Sequence, residues 1–270
     1  MSVAKIRGVA IAYEENGQGT PLVFVHGHPF NRSMWREQLR VFSPNYRVIT
    51  PDLRGYGDST VVPGKTPLED FARDIEHLLE ELNAADIVLC GLSMGGQIAL
   101  EFYHLFPKRV RALILADTFA QLDTDEGRQA RYDIAERLMN EGMHKYAGEA
   151  LPKMIAPRTI EEQPEVAAHV LSMMRATSPE GAAAALRGRA ERRDYTPLLS
   201  EIAVPTLIIV GSDDEFTPVR DAEFMRQRIP NSRMAVINRA GHMPNMERPA
   251  EFNRIVEEFL RTLAQRDSQA

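Results

Sequence analysis

Short apolar runs recur along the chain, separated by stretches in which apolar residues return every three or four positions. Leu22-Val23-Phe24-Val25, Arg47-Val48-Ile49-Thr50, Ile87-Val88-Leu89-Cys90, Leu113-Ile114-Leu115-Ala116 and Thr206-Leu207-Ile208-Ile209-Val210 show no alternation of apolar and polar positions. A strand with one wet face alternates and a strand buried on both faces does not, so these runs predict the interior of a parallel sheet. Met234-Ala235-Val236-Ile237 fits the same role near a sheet edge. Val9-Ala10-Ile11-Ala12-Tyr13, followed by Asn16-Gly17-Gln18-Gly19, predicts an early strand and a turn. Helical spacing falls between the runs, at residues 33–42, 67–82, 96–106, 219–228 and 249–264. In the second of these, Leu68, Phe71, Ile75, Leu78, Leu79 and Leu82 form one apolar stripe, as a helix packed on a sheet requires. Strand and helix in alternation imply an α/β fold, a mostly parallel central sheet with helices on both faces.

Residues 120–195 break this rhythm. They are rich in Ala, Met, Arg and Glu, predict several short helices, and contain no convincing strand. Ligand sites of open α/β sheets lie at the carboxyl ends of the strands, so this segment is expected to form a helical cap there. The expected organisation is a core of residues 1–119 and 196–270 with a cap of residues 120–195. Arg175, Arg187 and Arg189 could meet a substrate carboxylate, but a solvated cap surface is the expectation for each. The polar tail, residues 265–270, is expected to fray.

Composition narrows the class. Of 270 residues 44% are hydrophobic and 26% charged, which sets aside disordered, collagen-like and coiled-coil chains. A formal charge of -6 argues against nucleic acid or an anionic membrane as partner. The single cysteine, Cys90, allows no intramolecular disulfide and no multi-cysteine metal site. Residues 1–8 lack the apolar centre of a secretory signal and no apolar run approaches ~18 residues, so a cytoplasmic location is expected.

Cys90-Gly91-Leu92-Ser93-Met94-Gly95-Gly96 puts a serine where a buried strand ends and a helix begins. On so sharp a turn the hydroxyl is held exposed, and glycines must flank it because side chains would clash. Ser93 is therefore the candidate nucleophile, against the alternative of a glycine-rich turn with an incidental serine. A serine hydroxyl needs a base to take its proton and an acid to orient that base. Gly211-Ser212-Asp213-Asp214-Glu215-Phe216-Thr217-Pro218 follows one buried run, and Ala240-Gly241-His242-Met243 follows the last. The order is thus Ser, Asp, His, with steps of 121 residues from Ser93 to Asp214 and 28 from Asp214 to His242. Three acids compete to orient the base. The Gly-x-x-Asp-x-x-Thr-Pro spacing favours Asp214, with Asp213 and Glu215 expected to be solvated or to brace the loop. His77, His104, His144 and His169 fall in helical segments and are expected at the surface or in packing.

An acyl-transfer site also needs two N–H donors for the developing oxyanion. The amide of Met94 is one candidate. The amide of His28 is the other, because the neighbouring Pro29 has no N–H to offer. His26 and His28 have a His-x-His spacing seen in some zinc sites, but no nearby Asp, His or Cys cluster completes one. No metal is expected; His26 should brace its loop and His28 should partly line the pocket. Arg54-Gly55-Tyr56-Gly57 lacks the third glycine of a dinucleotide motif and no Gly-Lys-Ser is present, so no cofactor is expected either. Expected substrate contacts are Phe30, Met139, Met143, Phe216 and Met243. Methionines such as Met139, Met143, Met154, Met173 and Met174 adapt to acyl chains, although filling the segment's own core is their commoner role.

Over about residues 5–264 the chain resembles the α/β-hydrolase fold superfamily. The resemblance rests on His26-Gly27, on Asp52-Leu53-Arg54-Gly55-Tyr56-Gly57-Asp58-Ser59, on Gly91-Leu92-Ser93-Met94-Gly95-Gly96, on the Asp214 segment and on Gly241-His242. Within that superfamily the chain is most similar to 3-oxoadipate enol-lactonase-like esterases and lactonases. The shared features are Gly-Leu-Ser-Met-Gly-Gly, Glu141-Gly142-Met143, Thr177-Ser178-Pro179-Glu180-Gly181 and the stretch from Asn245 through Arg248-Pro249 to Asn253. His28-Pro29-Phe30-Asn31-Arg32-Ser33-Met34-Trp35 is also similar to cofactor-free haloperoxidases, and acyl-homoserine lactone hydrolases are a neighbouring group. The resemblance implies a serine hydrolase that cleaves a small carboxylic ester or lactone through an acyl-serine intermediate. Serine at position 93 sets aside the dehalogenases and epoxide hydrolases of this fold, which use aspartate. Two alternatives stay open: perhydrolysis on the same triad, and a ligand-binding receptor that keeps the scaffold. The implied partner is a small molecule.

Overall fold

The computed structural model describes residues 1–267. Eight strands make one sheet in the order β1-β2-β4-β3-β5-β6-β7-β8. β3 (Pro21–Val25), β4 (Arg47–Pro51), β5 (Ile87–Leu92), β6 (Val110–Ala116), β7 (Thr206–Gly211) and β8 (Ser232–Ile237) run parallel. β1 (Ser2–Ile6) and β2 (Val9–Asn16) complete the sheet antiparallel. The five runs marked by their lack of alternation are strands, as are residues 234–237 within β8 and 9–13 within β2. β1 carried no such signal because only Ala4 and Ile6 of its five residues are buried.

Consecutive residues of the central strands feed two separate layers. Val23, Val25, Leu89, Leu113, Leu115, Ile208 and Val210 face one layer, with α2 (Leu68–Glu81), α3 (Met94–Leu105) and α10 (Val219–Arg228). Leu22, Phe24, Val88, Cys90, Ile114, Leu207 and Ile209 face the other, with α1 (Arg36–Phe42) and α12 (Pro249–Asp267). Both faces are dry, and each fully buried Leu, Ile or Val contributes about 1.5–3 kcal/mol. The helix expected over 33–42 is split. Arg32–Trp35 is a 3-10 turn capped by the Asn31 side chain, which accepts from the Ser33 amide, and α1 follows it. α12 continues to Asp267, so residues 265–267 are helical rather than frayed; the rest of that tail lies outside the described residues.

Between β6 and β7 the chain first forms five helices, α4 (Asp125–Glu141), α5 (Met143–Met154), α6 (Pro157–Glu162), α7 (Pro164–Ala176) and α8 (Pro179–Ala190), and then a sixth. α9 (Thr196–Leu199) then leads back to the sheet, and α11 (Pro244–Glu247) precedes α12. α4 and α8 pack through Ala135, Leu138, Ala182, Ala183 and Leu186. α8 seats directly on the core backbone. A Cβ on Gly181 would lie 2.0 Å from the Gly55 carbonyl oxygen, and the Thr66 amide donates to the Ala184 carbonyl at 3.0 Å. Among the described residues no helix is long and apolar enough to cross a membrane.

Strand order places the site. From β3 the chain passes to β4 on one side, then returns across β3 to β5 on the other. The loops leaving β3 and β5 therefore diverge and open a crevice at the carboxyl edge, where open α/β sheets bind ligands. The β3 loop carries His26 to Phe30, and the β5 turn carries Ser93.

Candidate active site

Ser93 has φ 57° and ψ -118°, a backbone conformation that costs a non-glycine residue about 1–3 kcal/mol. Its surroundings hold it there. The Ser93 amide donates to Ala116 O at 2.9 Å, and the Thr118 hydroxyl donates to Ser93 O at 2.8 Å. The turn is also too tight for side chains. A Cβ on Gly91 would lie 2.1 Å from Gly95 O, and one on Gly95 would lie 2.2 Å from Val25 O. α3 starts directly after Ser93, two residues before the sequence expectation, because the turn itself begins the helix.

Asp214 and His242 come from the loops after β7 and β8. His242 Nδ1 donates to Asp214 Oδ2 at 2.7 Å, and both groups are buried. Asp214 is fixed by its own loop. Its Oδ1 accepts from the Phe216 and Thr217 amides at 2.8 and 3.1 Å, and its Oδ2 accepts from the Thr217 hydroxyl. Burial pushes the Asp214 carboxyl up, but the charge and hydrogen bond of His242 and the bonds from Thr217 outweigh it and hold the pKa below the ordinary value. Asp213 and Glu215 are exposed, and Asp213 accepts from the Ser212 hydroxyl.

Two buried acids near this pair were not foreseen. Asp117, at the end of β6, accepts from the Gly211 amide at 2.9 Å. One oxygen of Asp117, one of Asp214 and one ring nitrogen of His242 lie within 4.8 Å of one another. Burial and the neighbouring Asp214 push the Asp117 carboxyl well above its ordinary pKa, whereas Asp214 is held below its own. The three groups have the spacing of metal ligands, but the His242–Asp214 and Thr217–Asp214 bonds already occupy that donor set. Glu247 is the second acid. Its Oε1 accepts from the Gly241 and Met243 amides at 2.9 and 3.2 Å, and its Oε2 from the Ala156 amide and Thr159 hydroxyl at 2.8 and 2.7 Å. One carboxylate thus ties the two residues flanking His242 to the start of α6. The sequence signal was the Met-Glu-Arg-Pro stretch, whose glutamate had no role in the motif-based reading.

His26 is the loop brace expected of it. Its Nε2 accepts from the Leu53 amide at 2.9 Å, which leaves Nδ1–H to donate to Gly27 O at 2.9 Å. The Asp52 to Ser59 motif serves the same loop: Asp52 accepts from the Arg32 amide at 2.7 Å and pairs with the Arg32 guanidinium. His28 Nδ1 meets the Tyr56 hydroxyl at 2.8 Å, and burial together with the nearby Arg189 charge pushes the His28 pKa well down, keeping the ring neutral. Among the described residues, neither the His28 nor the Met94 amide donates a hydrogen bond within the protein.

These loops and the inserted helices enclose a cavity of about 250 Å³. Core residues on its wall are His28, Ser93, Phe119, Phe216, Thr217 and His242; the insert adds Asp123, Arg131, Ile134, Tyr146, Met154, Leu186 and Arg189. Of the expected substrate contacts, Phe216 borders it. Phe30, Met143 and Met243 do not border it and are buried elsewhere, and Met139 is 43% exposed on α4. The expectation of a solvated surface holds for Arg175, which is exposed, and Arg187 pairs with Glu136; it fails for Arg189, only 7% exposed on the cavity wall.

Sheet order, the strained serine at the end of β5 and the acid and histidine after β7 and β8 define an α/β hydrolase. The chain belongs to the alpha/beta hydrolase fold family, whose model matches residues 20–249. It is similar to 3-oxoadipate enol-lactonase 2 of Acinetobacter baylyi, with 32% identity over 94% of each chain. Among solved structures it is similar to a thermophilic esterase from Thermogutta terrifontis, solved with malate bound, at 40% identity, TM-score 0.93 and 97% of each chain. The enol-lactonase from Burkholderia xenovorans is similar at 28% identity and TM-score 0.89, covering 96% of this chain and all of that one.

Proposed function

We propose that the chain hydrolyses small carboxylic esters or lactones through an acyl-serine intermediate on Ser93. The observation that carries this reading is the buried 2.7 Å bond between His242 and Asp214, with His242 and Ser93 on the wall of one cavity. Asp214 accepts from Nδ1, so the other ring nitrogen, Nε2, is left as the basic atom. His242 takes the Ser93 proton as Oγ attacks the carbonyl carbon. The amides of His28 and Met94 donate to the resulting oxyanion. Collapse of the tetrahedral adduct expels the alkoxide, which takes the proton from His242. Water, deprotonated by His242, then attacks the acyl-serine, and a second collapse returns Ser93 and the free acid. For a lactone the leaving oxygen stays tethered to the acyl group through both steps, and the product released is a single hydroxy acid. Helices α4–α8 act as a cap that excludes bulk water from these charges.

The test is a pH-indicator screen of simple esters, enol-lactones and acyl-homoserine lactones with the wild type beside Ser93→Ala. Turnover should fall in the variant to the buffer rate. Equal turnover by both proteins would remove Ser93 from the chemistry.

A further inference from the structure

The cavity wall holds an uncharged hydroxyl that nothing in the protein engages. The Thr217 hydroxyl and His242 Nδ1 are committed to Asp214, and His28 Nδ1 to the Tyr56 hydroxyl. Asp123 is shared by Arg131 and Arg192, and Arg189 Nε donates to Gln97 Oε1 at 3.0 Å. Tyr146, one turn into α5, differs. Among the described residues its hydroxyl has no hydrogen-bond partner, yet the packing does not close the oxygen off. The ring is wedged among the apolar side chains of the inserted helices. Burial raises the pKa of the hydroxyl, which places it in the interior, so the space it opens on is the cavity.

Charge decides which way this hydroxyl works. Arg189, Arg131 and Arg137 are the cations that act on it. They attract the oxygen, and a hydroxyl turns freely about its C–O bond, so the lone pairs face the arginines and the O–H faces the cavity. Tyr146 is thus a donor to whatever fills that space. Its neighbours fix where along a substrate it acts. It interacts with Tyr56, and the Tyr56 hydroxyl holds His28, whose amide is the proposed oxyanion donor. The leaving oxygen must lie at His242, which protonates it. A donor on the His28 side therefore meets the acyl part.

We propose that Tyr146 is a specificity-determining residue whose hydroxyl donates to an uncharged ether or hydroxyl oxygen in the acyl part of the substrate, a few bonds from the reacting carbonyl. In a cavity of about 250 Å³ one small substrate spans the distance from Ser93 to the cap. A hydrocarbon chain of the same shape would displace water from the buried O–H and give it no acceptor, so the site selects the oxygen-bearing chain. The assignment deepens the hydrolase reading and rests on it for the placement of the acyl part; the donor itself needs no turnover.

The experiment uses esters in two matched pairs. Ethyl 3-methoxypropanoate and ethyl pentanoate differ by one ether oxygen in the acyl chain; 2-methoxyethyl acetate and butyl acetate differ by the same oxygen in the alcohol. Within each pair kcat/KM is taken as a ratio, so the amount of folded protein cancels. Tyr146→Phe keeps the ring and removes one oxygen. It should lower the acyl-pair ratio by about three- to tenfold, as loss of one neutral hydrogen bond implies, and leave the alcohol-pair ratio unchanged. Tyr132→Phe, which removes an exposed hydroxyl bonded to Glu191, should change neither ratio. In Ser93→Ala, adding Tyr146→Phe should weaken the binding of ethyl 3-methoxypropanoate by the same factor and that of ethyl pentanoate not at all, read by ligand-observed NMR titration. An acyl-pair ratio that Tyr146→Phe leaves alone, or an equal fall in both pairs, overturns the proposal. If none of these esters is hydrolysed, Tyr146-dependent binding would uphold the donor and refute the hydrolase reading, and binding indifferent to Tyr146 would overturn the proposal as well.

Discussion

Glu247→Gln isolates the carboxylate that ties the His242 loop to α6. Glu247 is 1% exposed and accepts four hydrogen bonds, three from backbone amides and one from Thr159. The amide keeps one oxygen for Gly241 and Met243 and turns its NH2 toward Ala156 and Thr159. The Thr159 hydroxyl can rotate and accept, but the Ala156 N–H cannot, so one buried donor is stranded against another. A stranded donor costs roughly 1–3 kcal/mol, and the bonds that remain lose the extra strength of a charged acceptor, for a total of about 3 kcal/mol. In a chain of this size that lowers Tm by roughly 6–12 °C. Because Gly241 and Met243 flank His242, the proposed base, kcat on a neutral ester at 20 °C should fall more than KM rises. Thermal unfolding by circular dichroism reads the first effect and initial rates read the second. Glu257→Gln, which removes only an exposed pair with Arg261, is the control and should stay within about 0.5 kcal/mol of wild type. A Tm for Glu247→Gln within one degree of the control would mean that the four bonds carry no net stabilisation, and the reasoning would fail.

Asp117→Asn should change how stability depends on pH. In wild type the folded carboxyl has a raised pKa and the unfolded one an ordinary value near 4, so the native state binds the extra proton between them and stability falls as pH rises through that window. The variant lacks this loss while its amide oxygen still accepts from Gly211, so its urea midpoint should gain on wild type from pH 4 to pH 7; a constant difference would show that Asp117 is ionised when folded. Asp214→Asn should cut kcat by on the order of a thousand- to ten-thousandfold with KM nearly unchanged, since an amide cannot hold His242 in the reactive tautomer; a loss under tenfold would exclude Asp214 as the orienting acid. Two alanine substitutions should move Tm in opposite directions. Gly95→Ala drives a Cβ against Val25 O and should cost at least about 1–3 kcal/mol, whereas Gly148→Ala, exposed in α5 with open space around it, should contribute roughly 0.5–1 kcal/mol.

The frame of the candidate site was legible because its rules are local. A strand, a serine between glycines and a helix can be read in seven residues, and loops at strand ends are placed by the strands before them. The cavity wall was not, because it is built by helices whose facing cannot be read from composition. Phe30, Met143, Met243, Met154 and Leu186 are all buried apolar residues of the same clusters, yet only Met154 and Leu186 reach the wall, beside Arg131, Tyr146 and Arg189. One signal existed for Arg189. The preceding Ala182 to Ala185 run is too small and apolar for an outer helix, and a helix buried on most sides takes its arginines inward with it. Asp117 and Glu247 were missed for a different reason. Each acts through a backbone amide brought from a distant segment, Gly211 for one and Ala156 for the other, and no spacing in the chain records that meeting.

The contact between Gly55 and Gly181 limits how this enzyme can be rebuilt. Two backbones touch there with no side chain between them, so the inserted helices are not a detachable module that can be exchanged at the ends of β6 and β7. A transplanted insert must bring its own glycine to that point, or it will ride an ångström or more higher and lift Arg189 off the Gln97 side chain, to which it donates at 3.0 Å. The lining of the cavity and the fit of the two halves are therefore inherited together.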